Sequence, residues 1–221
     1  MHFLILGASG RTGQLTTAEA LVQGHAVTAL VRNSDSIAQQ QGLTIVPGSS
    51  LNGDDLEKAF SNQPIDATII TLAVQRESDN PFAKRTSPQY LIRDTIHTLL
   101  PVMRKHSVNR LVILSASGVG SSFAQSAWPL RMMFRHTNLS YAYEDHDAVD
   151  REVRELADVE WTMFRPCMLK DGKALPIKEY GEDGKGLSMF AGVTRASVAE
   201  ALVSGAADER RWRHQAVVIA N

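Results

Sequence analysis

The sequence predicts an α/β fold, in which a doubly wound parallel sheet of about seven strands forms a single domain over residues 1–221. Short apolar runs alternate with longer amphipathic ones along the whole chain, which is the pattern of repeated strand–helix–strand units. One run, ATIITLA at residues 67–73, is apolar almost throughout, as expected of a central parallel strand buried on both faces. Neither an internal repeat nor a linker divides the chain, so small C-terminal segments are expected to cover the substrate within the same domain.

Seven apolar runs are interpreted as strands, because each is short and is bounded by glycine, proline or polar residues. The first, HFLIL, runs directly into a glycine-rich turn. The predicted strands are residues 2–6, 26–31, 43–46, 67–73, 111–114, 159–164 and 216–219.

The segments between the strands have the spacing of amphipathic helices. In the first of them, Leu15, Ala18 and Leu21 recur on one face, and Gly24 ends the helix. The predicted helices are residues 11–23, 34–41, 51–60, 89–106, 141–156 and 194–207. Three stretches are too long to be simple connections and are expected to cover a substrate: residues 74–89, 118–140 and 170–189.

The first strand is followed by GASGRTG, in which Gly7, Gly10 and Gly13 are spaced three residues apart. In such a motif one glycine allows a tight turn, one lets the backbone approach a pyrophosphate, and one lets the helix pack on the strand. The helix that follows offers N–H groups and the positive end of its dipole to phosphates. Because the motif lies between a strand and a helix, and a second strand follows at the expected distance, a dinucleotide site is favoured over a glycine turn without a ligand.

The end of the second strand reads TALVRNSDS and indicates which dinucleotide is bound. An acidic residue here would hold the 2′-hydroxyl of NAD, whereas an arginine nearby accommodates the 2′-phosphate of NADP. Arg32 stands at this position, Asn33 and Ser34 can add hydrogen bonds, and Arg11 can add a second positive charge. The sequence therefore predicts NADP(H), with a plain surface arginine as the alternative interpretation of Arg32.

Six stretches carry a resemblance to a known family: LILGASGRTG, VTALVRNS, ATIITLA, NRLVILSASGVG, YEDHDAVDREVRE and WTMFRP, in that order along nearly the whole chain. The chain resembles the atypical short-chain dehydrogenase/reductases, in particular the NmrA-like NAD(P)-binding proteins and biliverdin-IXβ reductase (flavin reductase). The resemblance implies a Rossmann fold. It also implies a cofactor site made of Gly7, Ser9, Gly10, Arg11, Thr12, Gly13, Arg32, Leu72, Ala73, Ser115 and Pro166.

The sequence departs from the family pattern at two places. Relatives often carry Gly-Asp after the third strand, with the Asp near the adenine, whereas this chain has PGSS and places Ser49 in the cofactor site instead. Typical short-chain dehydrogenases use Tyr-x-x-x-Lys, in which the Lys lowers the pKa of the Tyr. None of the four tyrosines here is followed by Lys at that spacing, so alcohol dehydrogenation by that mechanism is not expected.

Three residues are candidates for catalysis. Ser115 and Ser117 follow the fifth strand, and the resemblance implies that this segment approaches the nicotinamide, where a hydroxyl can hydrogen-bond an acceptor. The alternative is that these serines bond their own backbone at the strand end. His146 can relay a proton near neutral pH, although a helix-surface or supporting role is the simpler interpretation. Cys167 and Met168 stand where the flavin reductase has a histidine, which indicates a soft, apolar pocket wall.

These features predict an NAD(P)-dependent reductase. We expect an NADPH-dependent oxidoreductase that reduces a small conjugated or aromatic acceptor (a flavin, a quinone, an enone or a specialised metabolite) without a Tyr–Lys pair. Two alternatives stay open. One is a redox-silent regulatory protein that senses NADP(H), and the other is a non-redox isomerase or cyclase on the same fold.

Composition narrows the expected partners. The net charge of −1 gives no overall attraction to nucleic acid or to an anionic membrane, and no apolar run is long enough to span a bilayer. The single cysteine cannot form an internal disulfide, and the seven histidines lack metal-ligand spacing. We therefore expect a cytoplasmic monomer or homodimer that binds a small-molecule substrate, with no metal, nucleic-acid or membrane partner.

Overall fold

The computed structural model describes residues 1–78, 80–208 and 210–221, which form an eight-stranded sheet with helices on both faces and a separate two-stranded sheet. The strands are β1 (His2–Leu6), β2 (Ala26–Val31), β3 (Leu43–Pro47), β4 (Ala67–Ile70), β5 (Arg110–Leu114), β6 (Glu160–Pro166), β7 (Met168–Lys170), β8 (Lys178–Glu179), β9 (Gly192–Thr194) and β10 (Gln215–Ala220). The helices are α1 (Arg11–Val22), α2 (Gly53–Ser61), α3 (Leu91–Lys105), α4 (Trp128–His136), α5 (Ser140–Arg154) and α6 (Arg195–Ala207).

The strand order in the main sheet is β3-β2-β1-β4-β5-β6-β10-β8, and β7 pairs with β9 in the small sheet. All neighbours in the main sheet are parallel except β8, which pairs antiparallel with β10 at one edge. The chain runs outward from β1 to β3 and then returns to β4 on the other side of β1. The direction of winding therefore reverses between β1 and β4, which is where α/β sheets bind ligands. The predicted doubly wound parallel sheet is confirmed.

Successive strand residues enter two hydrophobic cores, one on each face of the sheet. In β1, Leu4 and Leu6 belong to the core covered by α2, α3 and α5, whereas Phe3 and Ile5 belong to the core covered by α1 and α6. All four side chains are fully buried, as the continuous apolar run predicts. On the second face α1 and α6 pack side by side. Because α1 follows a parallel strand and α6 precedes one, both helices begin at the carboxyl edge of the sheet.

The prediction of a helix at residues 34–41 is wrong. Only Ser34–Ser36 is helical there, as a single 3-10 turn. The Asn33 side chain caps the start of this turn by accepting a hydrogen bond from the Asp35 N–H at 3.0 Å. The Ser36 hydroxyl donates to the Asn33 carbonyl, which a continuing α-helix would need as an acceptor for the N–H of residue 37. Short polar side chains offer the local backbone hydrogen bonds that compete with helix formation, which explains why the turn is not extended.

Other elements also differ from the sequence-based expectation. The short strands β7, β8 and β9 are not among the predicted strands, and β8 gives the main sheet eight strands where about seven are expected. Helix α4 lies within residues 118–140, which the sequence predicts to be a covering loop. The fourth strand ends at Ile70, whereas the apolar run predicts an end at Ala73. Thr71 still donates its N–H to the Leu6 carbonyl at 2.8 Å. The residues after it line the cavity at the carboxyl edge instead of continuing the sheet.

A buried ion pair joins β6 to α5. The guanidinium of Arg165, which is fully buried, contacts the Asp150 carboxylate at 2.6 Å. It also donates hydrogen bonds to the Ser121 hydroxyl and to the Glu182 carbonyl oxygen, both at 2.9 Å. Gly120 passes beside the pair with a φ of +54°, and a Cβ added there would collide with the Asp150 carboxylate. The pair therefore anchors two long connecting segments to the sheet.

Asp150→Asn is expected to lower the free energy of unfolding by about 3 kcal/mol or more, because it leaves the Arg165 guanidinium buried without its counter-ion. Asp158→Asn is the matched control, since it breaks an ion pair with Arg104 in which both side chains are about half exposed. Little change is expected there, because exposed ion pairs contribute little. Urea unfolding followed by circular dichroism measures both variants, and equally small losses would contradict the assignment of Asp150 as an anchor.

Candidate cofactor site

A cavity of about 340 Å³ opens at the carboxyl edge of the sheet, over the switch point between β1 and β4. Nine residues expected in the cofactor site lie in its walls: Gly7, Ser9, Gly10, Arg11, Thr12, Arg32, Ser49, Leu72 and Ala73. They follow the ends of four neighbouring strands, β1 to β4, because a parallel sheet brings those ends to one edge. The fold thus brings together residues that are far apart in sequence.

Five other expected residues are not among these walls. Gly13 packs beneath the glycine-rich turn. Asn33 and Ser34 are exposed at the 3-10 turn after β2. Ser115 and Pro166 lie at the carboxyl ends of β5 and β6, on the same edge of the sheet but farther from β1.

Gly7 and Gly13 of the glycine-rich turn have no room for a side chain. Gly7 has a φ of +93°, and a Cβ there would lie 2.9 Å from the backbone nitrogen of Leu72. A Cβ on Gly13 would collide with the carbonyl group of Gly7. Gly10 is the N-cap of α1, and no described side chain caps this helix. Backbone N–H groups at an uncapped helix N-terminus are donors for phosphates, so this turn fits the pyrophosphate of a dinucleotide.

Arg32 follows directly after β2, and its exposed side chain stands at the rim of the cavity. Its Nη2 donates to Oε1 of Gln75 at 3.4 Å. The Gln75 N–H in turn donates to the Ser87 hydroxyl at 2.8 Å, so the segment after β4 reaches across to the end of β2. A guanidinium at this place suits an anionic group on the β2 side of the cavity.

Ser49 lies after β3 in the same cavity. Its N–H donates to the Asp55 carboxylate at 3.0 Å, and this hydrogen bond is the main cause that holds the pKa of Asp55 below its usual value. The Ser49 hydroxyl accepts a hydrogen bond from the Leu51 N–H at 3.2 Å. Both contacts shape the turn that leads into α2.

The two serines after β5 differ in their contacts. The Ser115 side chain is buried and its hydroxyl has no hydrogen-bond partner among the described residues, so backbone capping does not account for it. The Ser117 N–H donates to the Pro166 carbonyl at 2.9 Å, and the Ser117 carbonyl accepts from the Tyr143 hydroxyl at 3.3 Å. Tyr143 also stacks on Phe134 with ring centroids 4.0 Å apart. This burial raises the pKa of Tyr143, so its hydroxyl stays protonated at neutral pH.

His146 is buried in α5, so the interpretation as a helix-surface residue is wrong. Its Nδ1 has no partner among the described residues. Burial lowers the pKa of the ring to about 4, which keeps the imidazole neutral at physiological pH. The flanking acids have structural partners: Asp145 accepts hydrogen bonds from two N–H groups in the first turn of α3 at 2.8 and 3.0 Å, and Asp147 accepts one from the Gly120 N–H at 2.8 Å.

Cys167 follows β6 and is partly buried. Burial raises the pKa of its thiol to about 11, so the sulfur stays protonated and apolar at neutral pH. Met168 is 56% exposed, and the residue of this segment that lines the cavity is Leu169. The sequence predicts an apolar pocket wall at Cys167 and Met168. In this cavity, Leu169 is the apolar residue of the segment that lines the wall.

Thirteen residues in the cavity walls have no counterpart in the predicted cofactor site, among them Gln75, Ser87, Pro88, Leu169 and Arg195. The first three fall in the stretch predicted to cover a substrate, so the sequence indicated the segment but not the residues. None of the described residues in 118–140 or 170–189 is among the walls of this cavity. Thr194 caps α6 by accepting a hydrogen bond from the Ser197 N–H. A threonine at this place predicts the start of a helix, but it does not predict that Arg195, the next residue, lines the cavity.

Within residues 1–78, 80–208 and 210–221, no helix is both long and apolar enough to cross a membrane. In the same ranges, no three His, Cys, Asp or Glu side chains converge on a position that could hold a metal ion.

The burial of His146 predicts a pH dependence of stability. Its pKa is lower in the folded chain than the unfolded value of about 6.5, so stability is expected to fall as the pH falls from about 6.5 to about 4. Between pH 7.5 and pH 5 this contribution is about 2 kcal/mol of unfolding free energy. His146→Gln should weaken the measured pH dependence by about that amount, whereas the exposed His136→Gln should not. Urea titrations at the two pH values decide, and an unchanged dependence in His146→Gln would count against a buried neutral ring.

Comparison with known proteins gives the same cofactor class. The chain is 26% identical over 191 residues to the uncharacterized protein YwnB of Bacillus subtilis, which covers 83% of this chain and 80% of that protein. Its fold is similar to that of ChuY, an anaerobillin reductase from Escherichia coli O157:H7, at 19% identity and a TM-score of 0.77 over 100% of this chain and 97% of that one. It is also similar to a short-chain dehydrogenase/reductase from Veillonella parvula in complex with NADP, at 19% identity and a TM-score of 0.75 over 100% and 94% of the two chains. Because a family model described as NAD(P)H-binding matches residues 7–209, the chain belongs to this NAD(P)H-binding family.

Proposed function

We propose that this protein is an NADPH-dependent oxidoreductase that reduces a small conjugated or aromatic acceptor. The observation that carries the proposal is that the glycine-rich turn and Arg32 border one cavity at the switch point of the sheet. The turn fits a pyrophosphate, and Arg32 suits the 2′-phosphate that NADPH has and NADH lacks. The NADP bound to the similar fold from Veillonella parvula supports the choice of cofactor.

In this proposal each part of the site has one task. The uncapped first turn of α1 holds the pyrophosphate, while Arg32 and Arg11 neutralise the 2′-phosphate. Leu72 and Ala73 flank the adenosine side of the cavity. The bound cofactor supplies a hydride. The segments after β5 and β6 hold the acceptor and exclude water, with the buried Ser115 hydroxyl as a hydrogen-bond donor to it.

The acceptor class follows from the groups around the ends of β5 and β6. Burial lowers the pKa of His146 and raises the pKa values of Tyr143 and Cys167, so none of the three is an effective acid or base near pH 7. Four positions after Tyr143 stands Asp147, whose carboxylate accepts from a backbone N–H, so no lysine activates the tyrosine. An acceptor that takes its proton from solvent is therefore favoured, as a flavin, a quinone, an enone or another conjugated metabolite can. The description of ChuY as a reductase supports a redox role.

A redox-silent NADP(H) sensor is the second candidate, and the missing Tyr–Lys pair is the observation that favours it. It shares the cofactor site with the first candidate and differs in turnover. A sensor would bind NADP⁺ and NADPH with similar affinity, oxidise no NADPH with any acceptor, and retain a partner protein in a pull-down. A non-redox isomerase would instead form product without net consumption of cofactor.

Arg32→Ala is expected to weaken NADPH binding by roughly tenfold or more and to leave NADH binding unchanged, because a charge-assisted contact to the 2′-phosphate is lost. Arg104→Ala is the matched control, since it removes an exposed arginine from the last turn of α3. Fluorescence titration of both reduced cofactors measures the affinities. Unchanged NADPH affinity in Arg32→Ala would remove the basis for the NADPH preference.

Turnover is expected when NADPH is mixed with a panel of flavins, quinones and enones, followed by absorbance at the reduced nicotinamide band. Ser115→Ala should lower kcat by about tenfold or more, because a donor to the charge that develops on the acceptor is lost. The same change should leave the unfolding midpoint unaltered or raised, because the hydroxyl has no partner to lose in the described structure. A structural serine would show the reverse pattern, and no oxidation with any acceptor would favour the sensor.

A further inference from the structure

Arg195 is a charged side chain in the wall of the cofactor cavity that the proposed function does not use. It is the first residue of α6 and only 8% exposed, which is unusual for an arginine unless its charge is matched. The preceding strand β9 pairs with β7, whose Leu169 lines the same cavity. The backbone therefore holds Arg195 at the cavity wall.

The ion pair of Arg195 is asymmetric. Its Nη1 contacts Oδ1 of Asp171 at 2.6 Å, but the Asp171 side chain is 84% exposed while that of Arg195 is 10% exposed. A carboxylate so open to water can leave the pair at little cost, because water solvates it fully. The buried guanidinium, in contrast, needs an anionic partner wherever it points. The Arg195 guanidinium is thus suited to exchange the Asp171 carboxylate for another anion.

Helix packing places Arg195 next to the phosphate-binding turn. α1 and α6 pack side by side and both begin at the carboxyl edge of the sheet. Arg11, the first residue of α1, and Arg195, the first residue of α6, both line the cofactor cavity. The same two residues also line a neighbouring cavity of about 700 Å³, whose walls include Asp171. Arg195 therefore stands between the cofactor cavity and the place that its carboxylate partner occupies.

We propose that Arg195 is a cofactor-binding residue that contacts the diphosphate of the dinucleotide, exchanging the Asp171 carboxylate for a phosphate oxygen when cofactor binds. The inference rests on the cofactor site of the proposed function and extends it to a residue outside the glycine-rich turn. A guanidinium matches two phosphate oxygens with parallel N–H groups, which a lysine at this place would not do. Because the diphosphate is common to both cofactors, Arg195 acts on NADPH and NADH alike, unlike Arg32.

The test measures binding to the full-length protein by calorimetry with NADPH, NADH and ADP, which keeps a diphosphate without the nicotinamide. Arg195→Ala is expected to raise the Kd of all three by roughly tenfold, with the NADPH-to-NADH ratio unchanged. Arg195→Lys should recover only part of the affinity. The matched control is Arg213→Ala, which breaks the Arg213–Glu160 ion pair at the opposite edge of the sheet and should alter no Kd.

Asp171→Asn provides a second test, made on a side chain that lies mostly in water. Because it leaves the buried Arg195 guanidinium without this counter-ion, circular dichroism first checks that the variant is folded. It is expected to lower the Kd of all three ligands by up to about fivefold, since the competing carboxylate is removed. In an Arg195→Ala background the same change should have no effect, because the exchange needs both partners.

Three results would overturn the inference. One is unchanged affinity for all ligands in Arg195→Ala. Another is a loss confined to the complete cofactors with ADP unaffected, which would place Arg195 at the nicotinamide end. The third is an equal gain from Asp171→Asn with and without Arg195, which would assign the effect to general repulsion. The Arg32→Ala experiment is judged by the ratio of the Kd values for NADPH and NADH, whereas the Arg195→Ala experiment is judged by the Kd of each ligand. The proposed NADPH preference and the proposed role of Arg195 can therefore fail independently.

Discussion

The close approach of two glycines to the end of β4 is the constraint on which the cofactor site depends. The Gly7 backbone lies against Leu72 and Thr71, and Gly13 packs directly beneath the Gly7 carbonyl, so neither position can carry a side chain. Thr71 completes the contact by donating both its N–H and its hydroxyl to the Leu6 carbonyl, at 2.8 and 3.2 Å. The turn after β1 is thereby held on the neighbouring strand, and the first turn of α1 is presented to the cavity at the point where the sheet reverses its winding.

The other half of the carboxyl edge is held by charge instead of close backbone packing. Three aspartates of α5 each bind a different segment: Asp145 binds the start of α3, Asp147 binds Gly120, and Asp150 binds Arg165. Asp147 stands four residues after Tyr143, where the Tyr-x-x-x-Lys pattern would have its lysine, and its carboxylate supports a loop instead. The three carboxylates of this helix therefore serve the structure.

Sequence reasoning succeeded where one physical requirement dominates a short segment. β1 and β2 end where the sequence predicts, because central parallel strands must be apolar on both faces, and the glycine-rich turn was recognisable because close backbone approach excludes every other residue. It failed where local polar bonds compete with helix formation, as at residues 34–41. It could not place Arg195 or reveal the burial of His146, because both depend on how helices pack against elements distant in sequence. Such contacts leave no local pattern.

Thr71 and Ser115 show how position distinguishes a structural hydroxyl from a candidate functional one. They follow the neighbouring strands β4 and β5 and are 8% and 5% exposed. The Thr71 hydroxyl is satisfied by a backbone carbonyl, whereas that of Ser115 has no partner among the described residues. A buried unpaired hydroxyl costs about 1–3 kcal/mol, which an alanine would avoid. Thr68 is also unpaired, but it lies inside β4, so the missing partner alone does not mark a site. Ser115 differs because it stands at the ligand-binding edge of the sheet, where a bound acceptor can complete its hydrogen bonding.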